Sequence, residues 1–224
     1  MNCTFVTEEQ DRLTVHLTRE NVNTLGLAMM TDVETKQDKL SEPQIQAIDS
    51  VVDERATVIT FTDNTTSAFN WSGEITRQTM IDEGLFDGDE DVWIKSPVSV
   101  KIGTAITIIG EYAFGFAYNL SSVTIPDSVT SIGPFAFYDC ESLTNVTIPD
   151  NVKSIGYSAF QGCSSLLEIT VPNGIQSIGI DAFSDCTNLA NITVVGKTQA
   201  EAEALLENAS VPSSCEITIW NDAS

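Results

Sequence analysis

The sequence predicts an α+β, mostly β protein. A solenoid of four 23-residue coils covers residues 98–196, a C-terminal cap covers 197–224, and a small α+β region covers 1–97. Three observations carry this reading. VTIPDSVTSIGPFAFYDCESLTNVTIPD (123–150) begins and ends on nearly the same residues, and the wording returns 23 positions later. KTQAEAEALLENA (197–209) and then CEITIW (215–220) have the composition of a helix followed by a strand. The first 97 residues hold 19 of the 32 acidic residues and none of the repeat.

The repeat dictates the middle of the chain. In register at 23 residues stand Ile106, Val129, Val152 and Ile175, then Ile109, Ile132, Ile155 and Ile178. The glycines Gly110, Gly133, Gly156 and Gly179 follow, then the pairs Ala113-Phe114, Ala136-Phe137, Ala159-Phe160 and Ala182-Phe183. Each coil closes on Leu120, Leu143, Leu166 or Leu189, followed by Val123, Val146, Ile169 or Ile192. A coil this short cannot bury its own apolar face, so the core must be columns of like residues stacked between neighbours. LTNVTIP reads as a strand with Val146 and Ile148 inward and Asn145 and Thr147 outward, ended by Pro149. SVTSIG is a second short strand, its glycine suited to a position where the backbone turns tightly or passes close. The phenylalanines form an aromatic spine.

IPDSVTSIGPFAFYDCESLTNVTIP resembles the BspA-type leucine-rich repeat over about residues 100–196. The resemblance implies a leucine-rich-repeat solenoid of the kind found in bacterial surface proteins and viral proteins. It also implies an adhesion or interaction role, with no shared binding residue to carry over.

The two ends are read separately. In 197–209, Ala202, Leu205 and Leu206 fall on one helical face and Glu201, Glu203 and Glu207 on the other, so the helix caps the last coil. CEITIW adds one further strand. Within 1–97, TFVTEEQDRLTVHLT predicts a β-hairpin, and Thr31/Glu34 and Ser41/Gln44 are spaced as capping boxes of two short helices. ATVITFTDNTTSAFNW predicts a second hairpin around Asp63-Asn64, and ITRQTMIDEG a short helix closed by Gly84. Residues 30–53 resemble the N-terminal attachment regions of phage fibres, which implies a homotrimer stem. Met30, Val33 and Leu40 fit a coiled-coil seam that Gln37 interrupts. Leu25, Leu27, Met29, Met30, Val33 and Leu40 are therefore the candidate anchoring or oligomer contacts.

Charge and composition exclude several functions. With 42% hydrophobic and 19% charged residues the chain builds a core. Its net charge of −22, with only 10 Lys and Arg, rules against a phosphate-binding surface, so no nucleic acid is expected. No run approaches the roughly 18 apolar residues that cross a bilayer, and residues 1–20 lack the apolar stretch of an export signal, so neither membrane insertion nor Sec export is expected.

Catalytic and metal chemistry find no support either. Cys140, Cys163 and Cys186 share one column with Ala117; their spacing is the repeat's, and they read as free buried fillers. His16 is the only histidine and stands in no nucleophile motif. Asp87, Asp89 and Asp91 alternate like part of a calcium loop but lack its glycine and its final glutamate, so a solvated linker is expected. No enzyme activity, metal or cofactor is expected.

What remains is an interaction module. The favoured form is a virion fibre or decoration protein that anchors to the particle or to sister subunits by its N-terminal region. The alternative is a bacterial cell-surface or extracellular adhesin. In either form, the partner is a protein or glycan on a host surface. The candidate contact residues are those pointing outward from the main strands: Ser122, Thr124, Asn145, Thr147, Glu168, Thr170, Asn191 and Thr193.

Overall fold

In the computed structural model, residues 6–8, 12–14, 54–88 and 92–221 are described. The chain forms two compact units, Met1–Val52 and Asp53–Ser224. In the first, β1 (Val6–Glu8) pairs antiparallel with β2 (Arg12–Thr14), Val6 facing Thr14, as the hairpin expectation has it. The two expected helices, His16 and all six candidate anchoring residues lie outside the described residues.

The second unit opens with the expected hairpin, β3 (Thr57–Phe61) and β4 (Thr66–Phe69). Asp63 shapes its turn by accepting the Thr65 amide at 3.0 Å and the Thr65 hydroxyl at 2.6 Å. Those bonds come first, and Lys95 at 3.2 Å second, in holding the Asp63 carboxyl down to about 2. Next come β5 (Gly73–Ile75) and α1 (Arg77–Asp82). Gly84, at φ 68°, ends α1 by donating to the Ile81 carbonyl while Leu85 reaches back to Met80 at 2.8 Å. β6 (Phe86–Asp87) then pairs with β7 (Val92–Trp93). Asp89 and Asp91 lie outside the described residues.

The repeat builds two parallel sheets. The second, narrower sheet stacks β9 (Ile106–Ile109), β11 (Ser131–Ile132), β13 (Ser154–Ile155) and β15 (Ser177–Ile178). The main sheet stacks β8 (Pro97–Lys101), β10 (Ser122–Thr124), β12 (Asn145–Thr147), β14 (Glu168–Val171), β16 (Asn191–Val195) and β17 (Glu216–Trp220). Like residues pair with like from rung to rung, Val123 with Val146 and Ile169 with Ile192. The architecture is the mostly β solenoid that the sequence predicts.

Its limits differ from the expected boundary at residue 97. β3 pairs antiparallel with β8 in the main sheet, and β5 pairs parallel with β9 in the second. Residues 57–75 thus satisfy backbone groups that the first coil would otherwise leave open, and they belong to the solenoid unit. The first contact is antiparallel and the second joins residues off the 23-residue register, so the period gives no sign of either.

Columns fill the core. Phe114, Phe137, Phe160 and Phe183 are fully buried and stack at centroid distances of 5.6, 5.2 and 6.0 Å. Each stabilises the fold by roughly 1.5–3 kcal/mol through burial. Trp93 extends the spine, parallel to Phe114 at 6.5 Å, with its indole N–H donating to the Gly115 carbonyl. The repeat glycines are there for close approach. A Cβ on Gly156 would stand 2.5 Å from the Gly133 carbonyl carbon, and one on Gly179 the same distance from that of Gly156.

At the far end, α2 (Gln199–Leu206) begins on a capping box in which Thr198 accepts the Glu201 amide and the Glu201 carboxylate accepts the Thr198 amide. α2 buries Ala202 and Leu206 and packs beside β15, as the expected cap. Ala209 then takes the carbonyl role of the alanine column, accepting from Phe183 at 2.9 Å as Ala182 does from Phe160. The cap is therefore a fifth coil that lacks its phenylalanine, with Ser210 in that slot.

Candidate functional site

Alternation along the main strands fixes what faces outward. Val123, Val146, Ile169 and Ile192 are buried, so their flanking residues project from the opposite face. Ser122, Thr124, Asn145, Thr147, Glu168 and Thr170 are exposed there, while Asn191 and Thr193 are half-buried. The last pair is covered by β17. Asn191 donates to the Thr218 hydroxyl at 2.9 Å, and the Thr193 hydroxyl donates to Asn191 at 3.0 Å.

Register arranges these residues in two rows. One runs Ser99, Ser122, Asn145, Glu168, Asn191, Glu216. Beside it run Lys101, Thr124, Thr147, Thr170, Thr193 and Thr218, about 4.8 Å per rung. Ser99, Lys101, Glu216 and Thr218 extend the predicted set at both ends. Their signal is in the sequence, since SVKI (99–102) and EITI (216–219) repeat the pattern of SVTI (122–125).

The cysteine column takes no part in a site. Cys140, Cys163 and Cys186 are free and buried, and each thiol donates to the phenylalanine carbonyl of the preceding coil at 3.1–3.2 Å. Burial pushes all three thiols up, Cys186 to about 12, so they are neutral packing groups at physiological pH. Among the described residues, no group of three or more His, Cys, Asp or Glu is placed to hold a metal ion. No described helix is long and apolar enough to cross a membrane.

A second surface has no counterpart in the sequence reading. The turns that lead from the narrow sheet back to the main sheet carry a chain of ring contacts outside the core spine. Tyr112 stacks on Phe135 at 4.4 Å, and Phe116 and Phe135 each meet Tyr138 edge-on at 5.2 and 5.6 Å. Tyr157 abuts Phe135 at 5.1 Å, and Tyr118 lies 6.3 Å from Phe116. Tyr118 and Tyr157 are 46% and 45% exposed. At one end of the strip the Arg77 guanidinium lies 4.2 Å over Tyr112 and 5.3 Å over Phe116. Toward the other end stand carboxylates. Asp139 is raised above its ordinary value by burial first and then by the charges of Glu141 and Asp185. Burial and then the Asp139 charge raise the Tyr118 and Tyr138 hydroxyls.

A family model described as the BspA type leucine rich repeat region matches residues 94–212 in six copies, just over half of the chain. The match reaches beyond residues 98–196 on both sides, starting at residue 94 and running through α2. Solved structures are similar as well. A leucine-rich repeat protein from Bacteroides ovatus is 30% identical over 55% of this chain and 30% of its own, with a TM-score of 0.48. A leucine rich cell surface protein from Faecalibacterium prausnitzii is 32% identical over 57% of this chain and 32% of its own, with a TM-score of 0.46. The chain thus spans about a third of the length of these two structures. A leucine-rich repeat protein from T. pallidum is 20% identical and covers 75% of this chain and 81% of its own, with a TM-score of 0.50; that likeness is one of fold. No curated protein matches the chain.

Proposed function

The chain belongs to the BspA-type leucine-rich repeat family, and from that premise we propose a non-enzymatic adhesion module that meets its partner on the outward face of the main sheet. One observation carries the reading: six parallel rungs hold two continuous rows of hydroxyl, amide and carboxylate groups on a single face, with the Lys101 ammonium at one end. Repeat proteins bind through stacked faces of this kind, which offer regularly spaced hydrogen-bonding groups to an extended protein or glycan. An array of host-surface proteins and glycans probed with the full chain tests it. Binding that the Thr147→Arg/Thr170→Arg variant loses supports the strand face, and binding that this variant retains removes the contact from that face.

The finer reading places the module on a virion as a fibre or decoration protein held by residues 1–52, with a bacterial cell surface as the alternative. Its support is the resemblance of residues 30–53 to fibre attachment regions. Sedimentation of the full chain against residues 53–224 tests the anchoring. Self-association is expected of the full chain alone, and Leu25→Glu/Met29→Glu should abolish it. A full chain that is strictly monomeric and binds no particle or envelope sinks the anchoring. Immunogold labelling of lysates and intact cells separates virion from cell surface.

A further inference from the structure

The fold does not require the aromatic strip. In the slots held by Tyr118 and Glu141 the third and fourth coils carry Ser164 and Thr187, and in the Tyr138 slot they carry Gln161 and Ser184. All four coils fold in register regardless. Rings gathered on one flank of the first three coils, with two of them about half exposed, therefore call for a reason other than packing.

Charge narrows what the rings could meet. Glu141 and Asp185 both act on the Asp139 carboxylate, Asp139 and Glu141 act on the exposed Tyr118, and Asp139 and Asp185 act on Tyr138. Between residues 102 and 196 the only basic residue is Lys153, against eight acidic ones. Lys153 lies in the ladder from Thr130 to Gln176, on the narrow-sheet side of the coil. The strip also shows which chemistry its faces accept, because Arg77 already places a guanidinium over Tyr112 and Phe116. We propose that the flank formed by Tyr118, Tyr138 and Tyr157 with Asp139, Glu141 and Asp185 docks a Lys- or Arg-bearing segment of a protein partner. The rings offer cation–π faces, and the carboxylates offer charge-assisted hydrogen bonds to the same cations. This rests on the reading of the chain as an interaction module and adds a second contact surface with its own chemistry.

The test is fluorescence anisotropy of labelled hexa-arginine titrated with the full chain at low salt. Tyr118→Ser/Tyr138→Gln copies residues that the third coil already carries in the same slots, and it should weaken binding by about fivefold or more. Asp139→Asn/Glu141→Gln, which spares the rings, should do the same. Asp127→Asn/Asp150→Asn removes equal charge from other turns and should change affinity by less than about twofold. The proposal is overturned if the wild-type chain does not bind the peptide, or if all three variants weaken it equally, which would mean a diffuse field. It is also overturned if the ring variant loses maltohexaose while keeping hexa-arginine, since the strip would then be a glycan platform. The strand-face array is scored separately, so failure here removes the flank and leaves the adhesion reading intact.

Discussion

Phe160 lies between Phe137 and Phe183 with no exposure, so truncation leaves a hole that the neighbouring rings cannot close. Phe160→Ala should cost about 3–5 kcal/mol in urea unfolding, whereas Cys163→Ala, in a slot where Ala117 already serves, should cost about 1 kcal/mol. Ser158 makes the opposite case. Its hydroxyl is buried without a hydrogen-bond partner, so Ser158→Ala should leave stability unchanged or raise it by up to about 1 kcal/mol. A clear loss in the same unfolding assay would mean that the hydroxyl has a partner. The spine and the cysteine fillers were legible because identical residues recur at one period. Ser158 was not, because its slot holds Tyr112, Phe135 and Asp181 elsewhere and follows no pattern. The aromatic strip has no sequence signature for the same reason, its rings being spread over several slots.

Columns behave as elements in their own right. Gly156→Ala would drive a methyl into the backbone at Gly133 and Pro134, each 2.5 Å away, and should cost at least about 1–3 kcal/mol by forcing two coils apart. Thermal unfolding measures this, and an unchanged midpoint would show that the coils can separate freely. The thiol column gives the solenoid an alkaline limit. Burial raises its folded-state pKa values above the ordinary 9.0, to about 12 for Cys186. That stability is whole below pH about 9, where thiols are neutral in both states, and is lost as pH rises toward 12, because the unfolded chain gains by ionising. Denaturant midpoints should fall over that window, and less steeply in the triple variant Cys140→Ala/Cys163→Ala/Cys186→Ala. Among the strands, β8 and β17 were written in the sequence as SVKI and EITI. The spacing stretches to 25 residues between Asn191 and its partner Glu216, so the alternation in CEITIW, and not the 23-residue period, marks the last rung.

For the whole unit, the N-terminal cap decides which fragment survives. Residues 53–224 keep Trp93 on the spine and keep both sheets paired through β3 and β5. Residues 97–224 lose all three and expose Phe114 together with two open strand edges. The longer fragment should unfold cooperatively, and the shorter should aggregate or unfold at lower urea. Equal stability would show that the hairpin is decoration.

The three tryptophans, Trp71, Trp93 and Trp220, all stand at the ends of the stack, while the four tyrosines occupy the coils between. Trp93 is packed against Phe86 and Phe114, and Trp220, on the last strand, is 59% exposed. The tryptophans are thus reporters of the ends of the stack, whereas circular dichroism reports the stack as a whole. If the coils melt from an end inward, as nearest-neighbour coupling allows, the two signals should part company on heating, with Trp93→Phe and Trp220→Phe showing which end goes first. Coincident curves would mean that the stack melts as one body.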